Sequence, residues 1–179
     1  MSNHPNELSA ALPGMLPRLW RFALRLCRNV ADAEDLMQRT CVRALERSAQ
    51  WQSGTSLISW LYSIAHSVWL NEIRSRRLRQ HGQLDFAEDW CEQLIDTKIP
   101  DPENQLFFRQ VVLAVDRLPE AQRTVMLLVA VDGLTYREAA EVLGIPIGTV
   151  MSRLARARQT IGERFSSDAG RDSFKKGTR

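Results

Sequence analysis

The sequence predicts an all-α protein built of two small helical domains joined by an acidic linker. Three observations lead there. Apolar residues recur at helical spacing over residues 12–80 and again over residues 103–165. Charge falls in three blocks: residues 1–80 hold eleven Lys and Arg against six Asp and Glu, residues 81–105 one against seven, and residues 106–179 twelve against eight. The stretch from Leu134 to Ile161 reads as two helices joined by a tight turn, the second bearing two unlike faces.

The formal net charge of +3 over 179 residues therefore conceals two basic modules flanking an acidic connector, a pattern that favours polyanionic partners. The longest apolar run, Val125 to Val131, is far shorter than the ~20 residues of a membrane span. Pro5, Glu7, Pro13 and Pro17 stand where a signal peptide would need an apolar core, so no membrane insertion and a cytoplasmic location are expected. Cys27, Cys41 and Cys91 are odd in number and widely spaced, and His4, His66 and His81 are isolated; neither a disulfide framework, a metal site nor a cofactor is expected. With no Gly-rich phosphate loop and no nucleophile–His–carboxylate set, no catalytic residues are expected either.

Residues 1–11 are polar and read as a flexible N-terminus. Helix one spans Leu16 to Arg28 on the apolar spacing of Leu16, Leu19, Trp20, Ala23, Leu24 and Cys27. Asn29 ends it, and Asp32 is expected to cap a second helix with Ala33, Leu36, Met37, Thr40, Cys41, Ala44 and Leu45 facing inward. Asp35, Gln38, Arg39, Val42 and Glu46 are left outside. A Gly-containing loop, Gln50 to Ser56, precedes a long third helix capped by Ser53 or Ser56, with Leu57, Trp60, Leu61, Ile64, Ala65 and Val68 as its core stripe. That helix becomes basic from Arg74, with Trp69 close upstream, and aromatics beside cations suit single-stranded DNA.

Residues 81–102 carry scattered acids without a sustained period and read as the linker. As a flexible coil of about 24 residues it averages ~27 Å between ends and reaches ~80 Å at most. Asp101 caps and Pro102 begins a fourth helix, Leu118-Pro119 breaks it, and a further helix runs from Glu120 to Val131 until Gly133. Thr135 and Glu138 form a capping box for a short helix from Tyr136 to Leu143. Gly144 is placed to end it and Pro146 to start the next. On that last helix Ile147, Val150, Leu154, Ala157 and Ile161 share the inward side, while Gly148, Thr149, Ser152, Ala155, Arg156 and Gln159 share the outward one. Small residues permit close approach, hydroxyls and amides reach base edges or phosphates, and Arg can grip guanine with two hydrogen bonds. Arg153, Arg158 and Arg164 flank this face as phosphate contacts. The tail from 166 to 179 is polar and basic and is expected to be flexible.

The runs Leu118-Pro119-Glu120, Asp132-Gly133-Leu134-Thr135-Tyr136-Arg137-Glu138-Ala139-Ala140 and Gly148-Thr149-Val150-Met151-Ser152-Arg153-Leu154-Ala155-Arg156-Ala157-Arg158 closely resemble region four of the extracytoplasmic-function (ECF, group IV) sigma factors of bacterial RNA polymerase. The resemblance extends over 12–80 as region two and 103–165 as region four. It implies that Thr149, Ser152, Arg153, Ala155, Arg156 and Gln159 contact the promoter −35 element, with Met151 standing where the family usually has Lys or Arg. Asp32-Ala33-Glu34-Asp35-Leu36-Met37-Gln38-Arg39-Thr40 resembles the region-two helix that docks on the clamp of the polymerase largest subunit, implying core-polymerase contacts at Asp35, Gln38, Arg39 and Val42; Arg39 replaces a usual Glu.

Trp51 to Ala65 resembles the segment that melts and reads the −10 element. Gln52, Ser53, Gly54 and Thr55 are implied to pocket an extruded base, and Ser67, Asn71, Arg74 and Arg77 to contact backbone or bases, Ser67 replacing a common Asn. The implied partners are core RNA polymerase, through the clamp and the flap of the second-largest subunit, promoter DNA, and an anti-sigma factor that holds a stress-responsive protein inactive as a 1:1 complex; alone it is expected to be a monomer. The alternative is a dimeric helix-turn-helix regulator reading palindromic half-sites.

Overall fold

The computed structural model describes residues 4–52, 54–79 and 102–175. Among them are seven α-helices and no strands: α1 (His4–Cys27), α2 (Val30–Glu46), α3 (Leu57–Arg79), α4 (Pro102–Asp116), α5 (Glu120–Met126), α6 (Tyr136–Leu143) and α7 (Ile147–Lys175). A 3₁₀ turn, Ser48–Gln50, follows α2, and α5 is prolonged by a π-helical stretch, Leu127–Val131. The chain divides into two compact units, one holding α1–α3 and the other α4, α5, α7 and the start of α6. The expected linker at 81–102, with Cys91, lies outside the described residues but for Pro102, which opens α4 as expected.

In the first unit the three helices pack pairwise against one another. Phe22 of α1 and Tyr62 of α3 meet ring to ring, centroids 4.3 Å apart and tilted by 33°, at the centre of a core that includes Leu19, Leu26, Leu36 and Leu61. The expected stripe on α3 is too narrow: Leu57 and Trp60 are half-buried, whereas Ile58, Tyr62, Trp69 and Ile73 are buried as well. A helix packed against two others buries a wide arc, and a single stripe understates it.

The N-terminus differs from the expectation of a flexible 1–11 segment. α1 starts at His4, with Leu8 and Leu12 buried. Pro13 and Pro17, which read as interruptions, lie one helical turn apart on the exposed side. On such a side a carbonyl that a proline deprives of its helical donor can take a hydrogen bond from water. Arg28, at φ 57°, ends the helix in the left-handed region. The cap of α2 is Asn29, not Asp32: its side chain accepts a hydrogen bond from the Asp32 N–H at 3.1 Å. Of the two serines expected to cap α3, Ser56 accepts from the Ser59 N–H at 3.3 Å. α7 continues to Lys175, so helix replaces the expected flexible tail over 166–175.

In the second unit α7 packs on α5 and α4. Its core takes Leu118, Val125, Leu128 and Leu134 together with Val150, Leu154 and Ala157 of α7. Arg123 is 1% exposed, held by Glu120 three residues earlier and by Asp116 at 3.8 Å.

Candidate nucleic-acid interface

The turn between α6 and α7 is built by local chemistry. The Thr135 N–H donates to Glu138 Oε2 at 2.8 Å, and the Glu138 N–H donates to Thr135 Oγ1 at 3.2 Å, closing the capping box in both directions. The hydrogen bond from the Thr135 backbone N–H, then that from the Thr135 hydroxyl at 2.8 Å, hold the Glu138 carboxyl below its ordinary pKa. At the other end the Ile145 N–H reaches Ala140 O at 3.1 Å and the Gly144 N–H reaches Glu141 O at 3.3 Å, with Gly144 at φ 63°. That pairing is a Schellman stop. Pro146 precedes the first helical residue of α7, its carbonyl accepting from Thr149 and Val150 at 2.9 and 3.2 Å.

The consequence is a long helix anchored along one seam. Val150, Leu154 and Ala157 are buried and Ile161 is half-buried; Ile147, expected to join them, is instead 47% exposed. It precedes the first full turn, at the rim where α7 leaves the turn. Opposite the seam Gly148, Ser152, Ala155, Arg156 and Gln159 are exposed, and Thr149 and Arg153 are half-buried. The Gln159 amide donates to Glu163 at 2.9 Å and the Ser152 hydroxyl to Thr149 O at 3.1 Å. No acid occurs on α7 before Glu163.

A second group of expected residues gathers around the start and outer face of α3. The Thr55 N–H and hydroxyl both donate to Gln52 O, at 3.1 and 2.7 Å, closing a turn that Gly54 completes at φ 90°. Gln52, Gly54 and Thr55 are exposed; Ser53 lies outside the described residues. Ser67, Asn71 and Arg74, at spacings of four and three, share one exposed face. Arg77 is on the same helix, its side chain outside those described. Trp51 and Trp69 are buried, so the aromatics beside the basic end are committed to the core, and Trp60 is half-buried.

On α2 the outer face is as expected at Asp35, Gln38 and Val42, all exposed, but Leu45 joins them at 46% exposure instead of facing inward. Arg39 is half-buried and engaged on both sides, donating to Asp35 at 3.1 Å and across to Glu72 of α3 at 3.2 Å. Glu72 in turn accepts from Arg76 Nε at 2.9 Å, and Arg76 forks onto Asp32 with bonds of 2.7 and 2.6 Å. Sequence reasoning missed this chain of five alternating charges. Its two intrahelical links, Asp35–Arg39 and Glu72–Arg76, are visible as four-residue spacings; the two cross-helix links are not. Arg76 also lies over the Trp69 ring, 5.9 Å from its centroid. Burial pushes the Cys41 thiol up, away from the lowered pKa of a reactive cysteine. Among the described residues no cluster of His, Cys, Asp or Glu could hold a metal, and no helix is long and apolar enough to cross a membrane.

The two units correspond to two known regions in order. Residues 14–79 match the family Sigma-70 region 2, and residues 108–161 match Sigma-70, region 4, the pair that defines a DNA-binding transcription initiation factor. Among curated relatives, the ECF RNA polymerase sigma factor EcfG of Rhodopseudomonas palustris is 31% identical over 157 residues, covering 88% of this chain and 84% of that protein. SigC of Mycobacterium tuberculosis is 33% identical, covering 86% and 80%. The solved sigma factor RpoE of Bartonella quintana, in complex with the anti-sigma factor NepR, superposes with a TM-score of 0.73 at 27% identity, covering 90% of this chain and 98% of that one. This chain belongs to the ECF RNA polymerase sigma factors.

Proposed function

We propose that the chain confers promoter choice on core RNA polymerase by holding two DNA elements with its two units, residues 12–80 acting on the −10 element and 103–165 on the −35 element. The observation that carries this reading is α7: a helix pinned on one side by Val150, Leu154 and Ala157 offers small, hydroxyl and Arg side chains on the other, with no acid before Glu163. Thr149, Ser152, Arg153, Ala155, Arg156 and Gln159 take the −35 major groove. Gln52, Ser53, Gly54 and Thr55 hold a flipped −10 base, and Ser67, Asn71, Arg74 and Arg77 line its strand. Their binding energy offsets an unstacking cost of a few kcal/mol. Asp35, Gln38 and Val42 dock on the polymerase clamp. Arg39 contributes through Asp35 and Glu72, which it holds.

The protein works in the cytoplasm and has no catalysis of its own; nucleotidyl transfer stays with the polymerase. Because RpoE of Bartonella quintana is held by NepR, an anti-sigma protein is the proposed regulator here, burying the same faces in a 1:1 complex. Footprinting tests the reading. With core polymerase the chain is expected to protect one asymmetric promoter at two separated boxes. Protection of a palindrome by the chain alone, as a dimer, would replace it with a conventional regulator.

A further inference from the structure

Among the described residues of α7, Met151 and Ile147 are the large apolar side chains left exposed, at 53% and 47%. At about 100° per residue they fall within about 40° of each other, and Arg158 lies between them in projection. This flank borders the seam on one side and Ala155, then Ser152, on the other. It therefore adjoins the outward face and belongs to the first turns of the helix, the end that in helix-turn-helix proteins reaches base edges. Residues Ile147 to Arg158 contain three Arg and no acid. A protein groove suited to Met and Ile would have to accept those cations beside it, whereas a polyanion is attracted by them. Within a major groove the thymine 5-methyl is the apolar group on offer, and apolar side chains make contact with it.

We infer that Met151 is a specificity-determining residue that packs on a thymine methyl in the −35 element, with Ile147 supporting it from the preceding turn. The inference rests on the reading that α7 enters the −35 groove. It adds to that reading a named base and a named atom. Hydrogen-bond donors at this position would select by pairing; a thioether selects by covering a methyl, and loses its gain when cytosine or uracil stands there.

The test uses the full chain with core polymerase on a promoter obtained by in vitro selection, its −35 thymines replaced singly by deoxyuridine, which removes the methyl and nothing else. One replacement is expected to lower promoter affinity about three- to fivefold, the worth of one buried methyl. Met151→Ala should bind the thymine promoter that much more weakly and become indifferent to the replacement, while Met151→Leu retains the dependence. The side chain is exposed, so thermal melts of both variants should match the wild type. If every deoxyuridine is tolerated, or the selected −35 element lacks thymine, while Arg156→Ala still relaxes base preference, this inference is overturned and the DNA-facing reading stands. If Met151→Ala instead weakens binding to core polymerase with methyl dependence intact, Met151 is a protein contact. If Arg156→Ala and all −35 base changes are without effect, the reading of α7 falls and takes this inference with it.

Discussion

Arg76 joins more of the first unit than any residue the sequence singled out. Its guanidinium forks onto Asp32 of α2 and turns Nε to Glu72 of its own helix, and a fork of that kind is specific to Arg. Arg76→Ala leaves Asp32 half-buried and unpaired and is expected to destabilise the first unit by about 1–3 kcal/mol in chemical denaturation. Arg76→Lys should recover only part, because an ammonium cannot make both bonds to Asp32 and keep Glu72. Glu72 gives the network a pH signature. The hydrogen bond from Arg76, then that from Arg39, holds its carboxyl below the ordinary 4.5. A depressed carboxylate pKa stabilises the fold above the unfolded value, and that stabilisation disappears as pH falls through the folded one. The melting-temperature gap between wild type and Glu72→Gln should therefore be widest near neutrality and shrink below about pH 4.5; a gap independent of pH would remove the network from the account. At this scale sequence reading found exposed residues well, since Asp35, Gln38, Asn71 and Arg74 are all at the surface. It did not see that Arg39 is occupied, because half of its partnership comes from another helix.

Among the elements, those closed by short-range bonds were legible and those shaped by neighbours were not. α6 begins and ends where Thr135, Glu138 and Gly144 say it should, since each signal acts within five residues. α1 was cut short because residues 1–11 read as a polar, flexible end, although Leu8 and Leu12 are buried and Pro13 and Pro17 stack on the exposed side. The π-helical stretch at Leu127–Val131, closed by the Asp132 N–H on Leu127 O at 2.9 Å, has no local signature in an unbroken apolar run. Two changes probe the legible part. Thr135→Ala removes the hydroxyl that caps α6 and should cost about 0.5–2 kcal/mol, measured by thermal unfolding, with a matching loss of −35 binding as α6 frays. Gly144→Ala meets no neighbouring atom within 4 Å, so its expected cost of about 1–2 kcal/mol comes wholly from forcing a Cβ into φ 63°. A neutral result at Gly144 would mean the turn does not need its left-handed residue.

For the molecule as a whole, the fold class and the division into two basic helical units were readable from periodicity and charge, and the family from three runs of matching residues. Two promoter boxes some 25 base pairs apart lie ~85 Å apart, against the ~80 Å that about 24 residues of chain reach at most. Positive charge on each unit also makes promoter binding fall steeply with salt, as phosphate contacts release counterions. The most direct measurement is run-off transcription with purified core RNA polymerase on a pool of promoter sequences. Adding this chain alone should yield transcripts from a subset sharing two fixed boxes, and Arg156→Ala should relax preference at one −35 position by about 1–3 kcal/mol. Transcription no more selective than that of core polymerase by itself would contradict the account.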